Sequence, residues 1–383
     1  MTRNFALLGA TILDGERRHE GRALVIGEGR VLALADPADL PAGLERIAFE
    51  GGLIAPGFVD LQVNGGGGVL FNQNPDVEAI AAISAAHAPF GTTALLPTAI
   101  TDRPEVTRAA LDAARAAARS GVAGFAGVHL EGPHLSLARK GAHSPALIRA
   151  MKDADRDLII AARGAIPTVL VTLAPEAATR AQIGALAKAG VIVSLGHSDA
   201  SCAAARAAIE AGAGMATHLF NAMSQMGNRE PGLVGAVLET GIWAGLIADG
   251  IHVAPETVAI ALRAKRGPGR IFLVTDSMPP IGTDLAGFEL NGREVMRSEG
   301  ALRLGDGTLA GADLTMIDAV RWTHRVIGLE LDEALRMASL YPAMAIGRDE
   351  TLGRLRAGSD ASFVHLTDGL EIASVWRRGE KVA

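Results

Sequence analysis

Cysteine is almost missing from this chain. Cys202 is the only one in 383 residues, so no intrachain disulfide can form and nothing points to an oxidising compartment. Aromatic residues are scarce at 4%, which leaves Ala, Val, Leu and Ile to fill the interior. There is no run of Lys or Arg and the formal charge is −6, so the basic surface on which phosphate-backbone binding rests is lacking. Nucleic acid is therefore not expected as a partner, although a local cationic pocket is still compatible with the total. No segment reaches the roughly eighteen uninterrupted apolar residues that a membrane span needs, and no membrane association is expected. The first stretch, MTRNFALLGATILDGERR, has too short an apolar run and no small-residue cleavage site for a signal peptide, so the expected location is cytoplasmic.

What is present is ordinary for a globular protein, with 49% apolar and 20% charged residues. The two ends share one character. Short β-like runs, FALLGATIL, RALVIGEG and RVLALA, fill 4–50, and ASFVHL (361–366) and IASVWRRGEKVA (372–383) return at the other end. The middle alternates instead. Apolar, β-branched runs at about 58–63, 92–98, 124–130, 168–173, 191–195, 214–217, 244–248 and 271–275 are separated by Ala-rich segments such as 104–121, 175–190 and 198–214. Several of these segments open on an N-cap residue or Pro and close on Gly, as helices do. The expected fold is α/β: a (β/α)₈ TIM-type barrel over 54–344, with a small β-sandwich domain formed by both chain termini, 1–53 and 345–383.

A barrel of this kind carries its chemistry just after its strands. In strand order those places hold Gln62 and Asn64, Thr98, Glu131, Thr172, His197, His218, Asp249 with His252, and Asp276. Glu131, His197 and His218 supply one carboxylate and two imidazoles from separate strands, a donor set suited to Zn²⁺ or a similar divalent ion with a position left open to water. His129 and His134 could join that shell, but packing or supporting roles rank ahead for them. Asp276, in RIFLVTDSMPP, suits a base that takes a proton from water and returns it to a leaving amine, against the alternative of a turn residue before Pro279-Pro280. Arg229 and His252 suit an anionic group such as phosphate, against the alternative that Arg229 is a solvated surface residue. The run Gly65-Gly66-Gly67-Gly68 matches neither phosphate-loop pattern and is read as a turn, and Cys202 as a small side chain in a helix.

Together, APGFVDLQVNG, the GTT of 91–93, HLEGPHLS, KGAH (140–143), LGHSDA, THLFNAMS, ADGIHV, VTDSMPP and LAGADLTM (309–316) resemble, in order and over nearly the whole chain, the deacetylase family that acts on N-acetylglucosamine 6-phosphate, within the amidohydrolase superfamily. The resemblance implies metal ligands at Glu131, His197 and His218, and the acid/base carboxylate at Asp276. It implies a substrate contact near the scissile amide at His143, beside Ala142. It also implies sugar-phosphate contacts at Asn221, Ala222, Arg229 and His252, some of them crossing a homodimer interface, and a sugar pocket around Leu309, Ala310 and Gly311. The implied reaction is hydrolysis of the acetamide of N-acetyl-D-glucosamine 6-phosphate to D-glucosamine 6-phosphate and acetate, with one divalent ion per subunit, Zn²⁺ first and Fe²⁺ or another ion as an alternative.

Three rivals stand beside this reading: the N-acetylgalactosamine epimer as substrate, a silent scaffold, and a cyclic-amide hydrolase or deaminase. The last usually has His-x-His on the first strand and a bridging Lys on the fourth. Here the first strand ends Gln62-x-Asn64 and VLVTLAP has no Lys, so a single ion is expected, with Gln62 and Asn64 holding water at a vacant second position.

Overall fold

The computed structural model describes residues 4–383. The chain divides into two compact units. One gathers the described residues up to Asp60 with His87–Ala94 and Met316–Ala383, and the other holds Leu61–Ala86 and Leu95–Thr315.

Eight strands form one sheet in chain order: β1 (Phe58–Val63), β2 (Thr92–Ile100), β3 (Val128–Glu131), β4 (Val169–Leu173), β5 (Ile192–Leu195), β6 (Met215–Ala216), β7 (Trp243–Leu246) and β8 (Ile271–Leu273). The pairings from β2 through β8 are all parallel. A further parallel bridge, Val63 to Ser277, joins the end of β1 to the segment after β8 and nearly closes the barrel. Parallel strands are buried on both faces, which is why these runs are apolar without alternation; every residue of β1 and β2 is buried.

The connecting helices are set by local signals. The helix Pro104–Ser120 has Pro in its first turn and stops at Gly121 (φ 67°), whose N–H returns to Ala117 O. Ala110, Leu111, Ala114 and Ala117 make its buried stripe. Thr179 and Gln182 form a capping box at the start of Arg180–Lys188, and Ser201 caps Cys202–Glu210 through Ala204 N–H. Cys202 lies in that helix as expected.

Gly127, just ahead of β3, shows how tightly strand entry is constrained. Its φ is +148°, and a Cβ there would sit 2.2 Å from the carbonyl oxygen of Thr168, which already accepts the Val128 N–H at 2.9 Å. Overpacking costs about 1–3 kcal/mol and the wrong backbone region costs about 1–2 more. Gly127→Ala is therefore expected to lose about 3 kcal/mol of stability, seen as a drop in the urea midpoint at unchanged slope.

After β8 comes a feature the sequence reading did not foresee: four antiparallel strands in chain order, Gly287–Leu290, Arg293–Ser298, Ala301–Leu304 and Leu309–Ala312. The first two are joined at Asn291 (φ 49°) and Gly292 (φ 73°), the two left-handed residues that a tight hairpin of this length favours. Leu290, Val295, Leu302, Leu304 and Ala310 pack with Leu70, Ile100 and Met278, residues that follow or end β1, β2 and β8. The small sheet therefore lies against the C-terminal end of the barrel, where side chains for chemistry are expected.

The other unit contains the terminal strands. Leu53–Pro56 pairs with Phe363–Leu366, so the two ends of the chain share a six-stranded sheet. A four-stranded sheet of Phe5–Leu8, Ala23–Gly27, Arg30–Ala35 and Glu45–Ala48 contributes to the same core, built from Phe5, Leu7, Ile12, Leu24, Ile26, Ile54, Phe363 and Trp376. This is the strand-rich terminal domain expected from the matching character of the two ends. No helix among the described residues is long and apolar enough to cross a membrane.

Candidate active site

The ends of β3, β5, β6 and β8 bring Glu131, His197, His218 and Asp276 into one cavity of about 500 Å³, which they line with Asn64, Ala142, His143, Asn221, Ala222 and His252, among others. Backbone geometry there is unusual. His197 (φ 47°), His218 (φ 24°), Ala222 (φ 49°) and Asp276 (φ 51°) all sit in the left-handed region that side chains avoid. Each such residue costs about 1–2 kcal/mol and persists only where its surroundings over-determine it. Around Asp276 they do: its N–H donates to Gln62 O at 3.0 Å and its carbonyl accepts the Ala312 N–H at 2.9 Å.

The donor atoms converge closely. Glu131 Oε1 lies 3.1 Å from His218 Nε2 and 3.3 Å from His197 Nε2, and the two imidazole nitrogens are 3.1 Å apart. A tetrahedral ion with bonds of about 2.0–2.1 Å holds its ligand atoms roughly 3.3 Å apart, so these three atoms stand where such an ion needs them. The tautomer of His197 agrees. His197 Nδ1–H donates to the carbonyl of Arg139 at 2.9 Å, which turns the Nε2 lone pair inward. Burial alone would raise Glu131, but the His197 and His218 hydrogen bonds bring its carboxyl well below the usual range. Burial alone would lower His218, and the bond and charge of Glu131 raise it. Glu131, His143 and His197 also form a buried group with ligand atoms within 4.8 Å of one another, but His143 Nε2 stands off at 3.8 Å from Glu131 Oε2. The chain thus has a buried Glu/His/His group able to hold a metal ion.

Gln62 and Asn64 both bond to carboxylates of the site. Gln62 Nε2 donates to Glu131 Oε1 at 3.1 Å and to Asp276 Oδ1 at 3.0 Å, and Asn64 Nδ2 donates to Asp276 Oδ1 at 2.7 Å. The amides bond the two carboxylates directly, because the alternation of β1 aims both side chains at the barrel end. Both bonds on Asp276 fall on Oδ1, which leaves Oδ2 for a proton. Burial first, and then the charge of Glu131, push the Asp276 carboxyl up to about 6. His143 is pushed down to about 3 by burial and then by His197, so its ring is neutral near pH 7.

His129 and His134 belong elsewhere. His129 Nδ1–H donates to Leu61 O at 3.1 Å and its Nε2 accepts from Thr172 Oγ1 at 2.7 Å, so neither nitrogen is open to an ion. Thr172 continues to Thr217 at 2.6 Å and Thr217 to Ser194 at 2.6 Å, a buried hydroxyl chain in the barrel interior. Burial lowers His129 to about 4. His134 Nδ1–H donates to Arg149 O at 3.2 Å, and its Nε2 stands 4.0 Å from Asp155.

Among the residues expected at the sugar phosphate, His252 Nδ1 is committed to Asp249 Oδ2 at 2.6 Å, leaving Nε2 for a ligand. Arg229 is exposed and lines no part of the cavity. Leu309 and Gly311 line it, whereas Ala310 is fully buried in the core of the small sheet. Adjacent residues of a strand face opposite ways, so the Ala310 side chain turns into that core and only its backbone is left to face the pocket. Arg139, Arg303, Gly307 and Thr308 also reach the cavity and were missed. Asn291-Gly292 in the sequence signals a hairpin, but nothing local says that the last hairpin of that sheet, which carries Arg303 and Thr308, reaches a barrel mouth.

An eight-stranded barrel with a buried Glu/His/His group and a carboxylate at separate strand ends defines a hydrolase able to hold a metal ion. The chain belongs to the amidohydrolase family, whose model matches residues 53–382. It is 41% identical to the N-acetylgalactosamine-6-phosphate deacetylase of Shewanella sp. (strain ANA-3), over 97% of this chain and 94% of that protein. The crystal structure of N-acetylglucosamine-6-phosphate deacetylase from Pasteurella multocida matches with a TM-score of 0.95 at 35% identity, covering 99% of each chain. A mutant of N-acetyl-D-glucosamine-6-phosphate deacetylase from Mycobacterium smegmatis, in complex with N-acetyl-D-glucosamine-6-phosphate, matches with a TM-score of 0.90 at 34% identity, covering 100% of both.

Proposed function

We propose that this chain hydrolyses the acetamide of N-acetyl-D-glucosamine 6-phosphate, releasing D-glucosamine 6-phosphate and acetate. The observation that carries the reading is the meeting of Glu131, His197, His218 and Asp276 in one cavity. A divalent ion on Glu131, His197 and His218, Zn²⁺ first, would polarise the acetyl carbonyl and lower the pKa of an attacking water. Asp276 takes the proton from that water at Oδ2 and hands it to the departing nitrogen, while Gln62 and Asn64 keep Oδ1 fixed. Neutral His143 donates to the acetyl oxygen as negative charge builds there. Asn221, Ala222 and His252 hold the sugar phosphate, and Leu309 and Gly311 flank the ring. Arg229, exposed in its own chain, suits delivery to the phosphate of a second copy across a homodimer interface. The barrel domain is taken as 54–344 between terminal segments 1–53 and 345–383, and the working compartment as the cytoplasm.

The relative acting on the galactosamine epimer favours a second reading, N-acetylgalactosamine 6-phosphate. Acetate release from metal-loaded protein decides between them on a panel of both epimers, each with and without phosphate. The glucosamine epimer is expected to show the higher kcat/KM. Charged hydrogen bonds contribute about 1.5–3 kcal/mol each, so removing the phosphate is expected to lower kcat/KM at least about 100-fold. An unchanged value would refute the roles of His252 and Arg229, and no acetate release from any substrate would leave the silent-scaffold reading standing.

A further inference from the structure

Among the described residues no hydrogen bond fixes the ring of His143. Its Nδ1 is buried without a partner, and its Nε2 lies 3.8 Å from Glu131 Oε2. The ring rests edge-on against His197, with centroids 4.4 Å apart. An imidazole bonded at neither nitrogen takes its orientation from packing and from its backbone, and two hydrogen bonds hold that backbone. The His143 N–H donates to Lys140 O at 3.0 Å, closing a turn. The carbonyl of Ala142, one residue earlier, accepts from Arg293 Nη2. The turn has no slack: Gly141 has φ +54°, and a Cβ there would meet His197 Cε1 at 3.2 Å.

Arg293 comes from the small antiparallel sheet, opposite Leu290 across the Asn291-Gly292 hairpin. Its one side-chain hydrogen bond among the described residues goes to that backbone carbonyl and not to a carboxylate. Ala142 itself packs on the apolar cluster of the same sheet. The sheet therefore grips the His143 turn twice, once by apolar contact and once by a cation on a carbonyl.

We propose that Arg293 is a positioning residue for the deacetylation: by fixing the carbonyl of Ala142 it holds the His143 imidazole where it meets the acetyl oxygen. This rests on the role given to His143 above. A misplacement on the order of 1 Å costs about 100-fold in rate, so the effect belongs in kcat and not in KM.

A double-mutant cycle tests it. Arg293→Met keeps the apolar stem and removes the donors; it is expected to lower kcat about 10- to 50-fold with KM within about twofold. Arg293→Lys, which restores a donor, is expected to recover to within about fivefold of the parent. In a His143→Gln background, adding Arg293→Met is expected to lower kcat by less than about twofold, because the group it positions is already gone. Losses that multiply in the double variant, or a change confined to KM, would show that Arg293 acts elsewhere. A His143→Gln enzyme of full activity removes the role of His143 and the proposal with it. Should Arg293→Met fail to fold, the same cycle is run with Arg293→Gln, too short to reach Ala142.

Discussion

Asp276→Asn is expected to lower kcat about 1,000-fold, within the range of about 10² to 10⁴ that a positioned acid/base group supplies. The substitution is chosen for its local geometry. Asp276 sits at φ 51°, a region that Asn tolerates better than other side chains, so the backbone has no reason to move. The amide replaces one oxygen by NH₂, and the remaining carbonyl oxygen can still accept from Asn64, which donates at 2.7 Å, and from Gln62 at 3.0 Å. What disappears is the oxygen that carries the proton. Metal content and thermal midpoint are expected to match the parent, and substrate affinity in equilibrium binding is expected to stay within about threefold. Turnover within tenfold of the parent would exclude Asp276 as the acid/base group.

Glu131→Gln is expected to remove both the ion and the activity. Glu131 Oε1 is the one atom on which His218 (3.1 Å), His197 (3.3 Å) and Gln62 (3.1 Å) converge. A neutral amide is a poor ligand beside two imidazoles, and with its NH₂ at that position it would face the N–H of Gln62 donor to donor. Changes merely adjacent to metal ligands cost about 10- to 100-fold in affinity, and loss of the only carboxylate in the set should exceed that. Elemental analysis is expected to find close to one ion per parent subunit and less than about a tenth in the variant. The thermal response gives an independent check. An ion at a hundred times its Kd stabilises a folded protein by about 2.7 kcal/mol, so zinc should raise the midpoint of the parent and leave that of Glu131→Gln where it was. A variant that keeps its ion would move the metal site off Glu131.

Much of the fold was readable because barrel strands and helices are punctuated locally. The run at 168–173 became β4, Val169–Leu173, and the Ala-rich segment at 104–121 became the helix Pro104–Ser120. In both cases apolar run length, a Pro at the first turn or a terminal Gly carries the signal within a few residues. The small sheet over 287–312 was not readable in the same way. Its strands are ordinary hairpins, and what matters about them is the burial of Leu290, Val295 and Leu302 against Leu70, Ile100 and Met278, residues far away in the chain.

The candidate site divides along the same line. That Glu131, His197, His218 and Asp276 each follow a separate apolar run is written in the sequence, since strand ends in a parallel barrel point one way whatever fills the rest. The sequence by itself thus determined the barrel, the donor types at its mouth and the absence of a His-x-His pair. Tertiary structure alone decided how those donors are used: which histidines are already occupied, as His129 is between Leu61 and Thr172; which oxygen of Asp276 is left for a proton; and that Arg293 grips the turn before His143. The physical reason is range. Propensity and periodicity act over a few residues, whereas a hydrogen bond between Asn64 and Asp276 or between Arg293 and Ala142 joins positions that only the folded barrel and its covering sheet bring within reach.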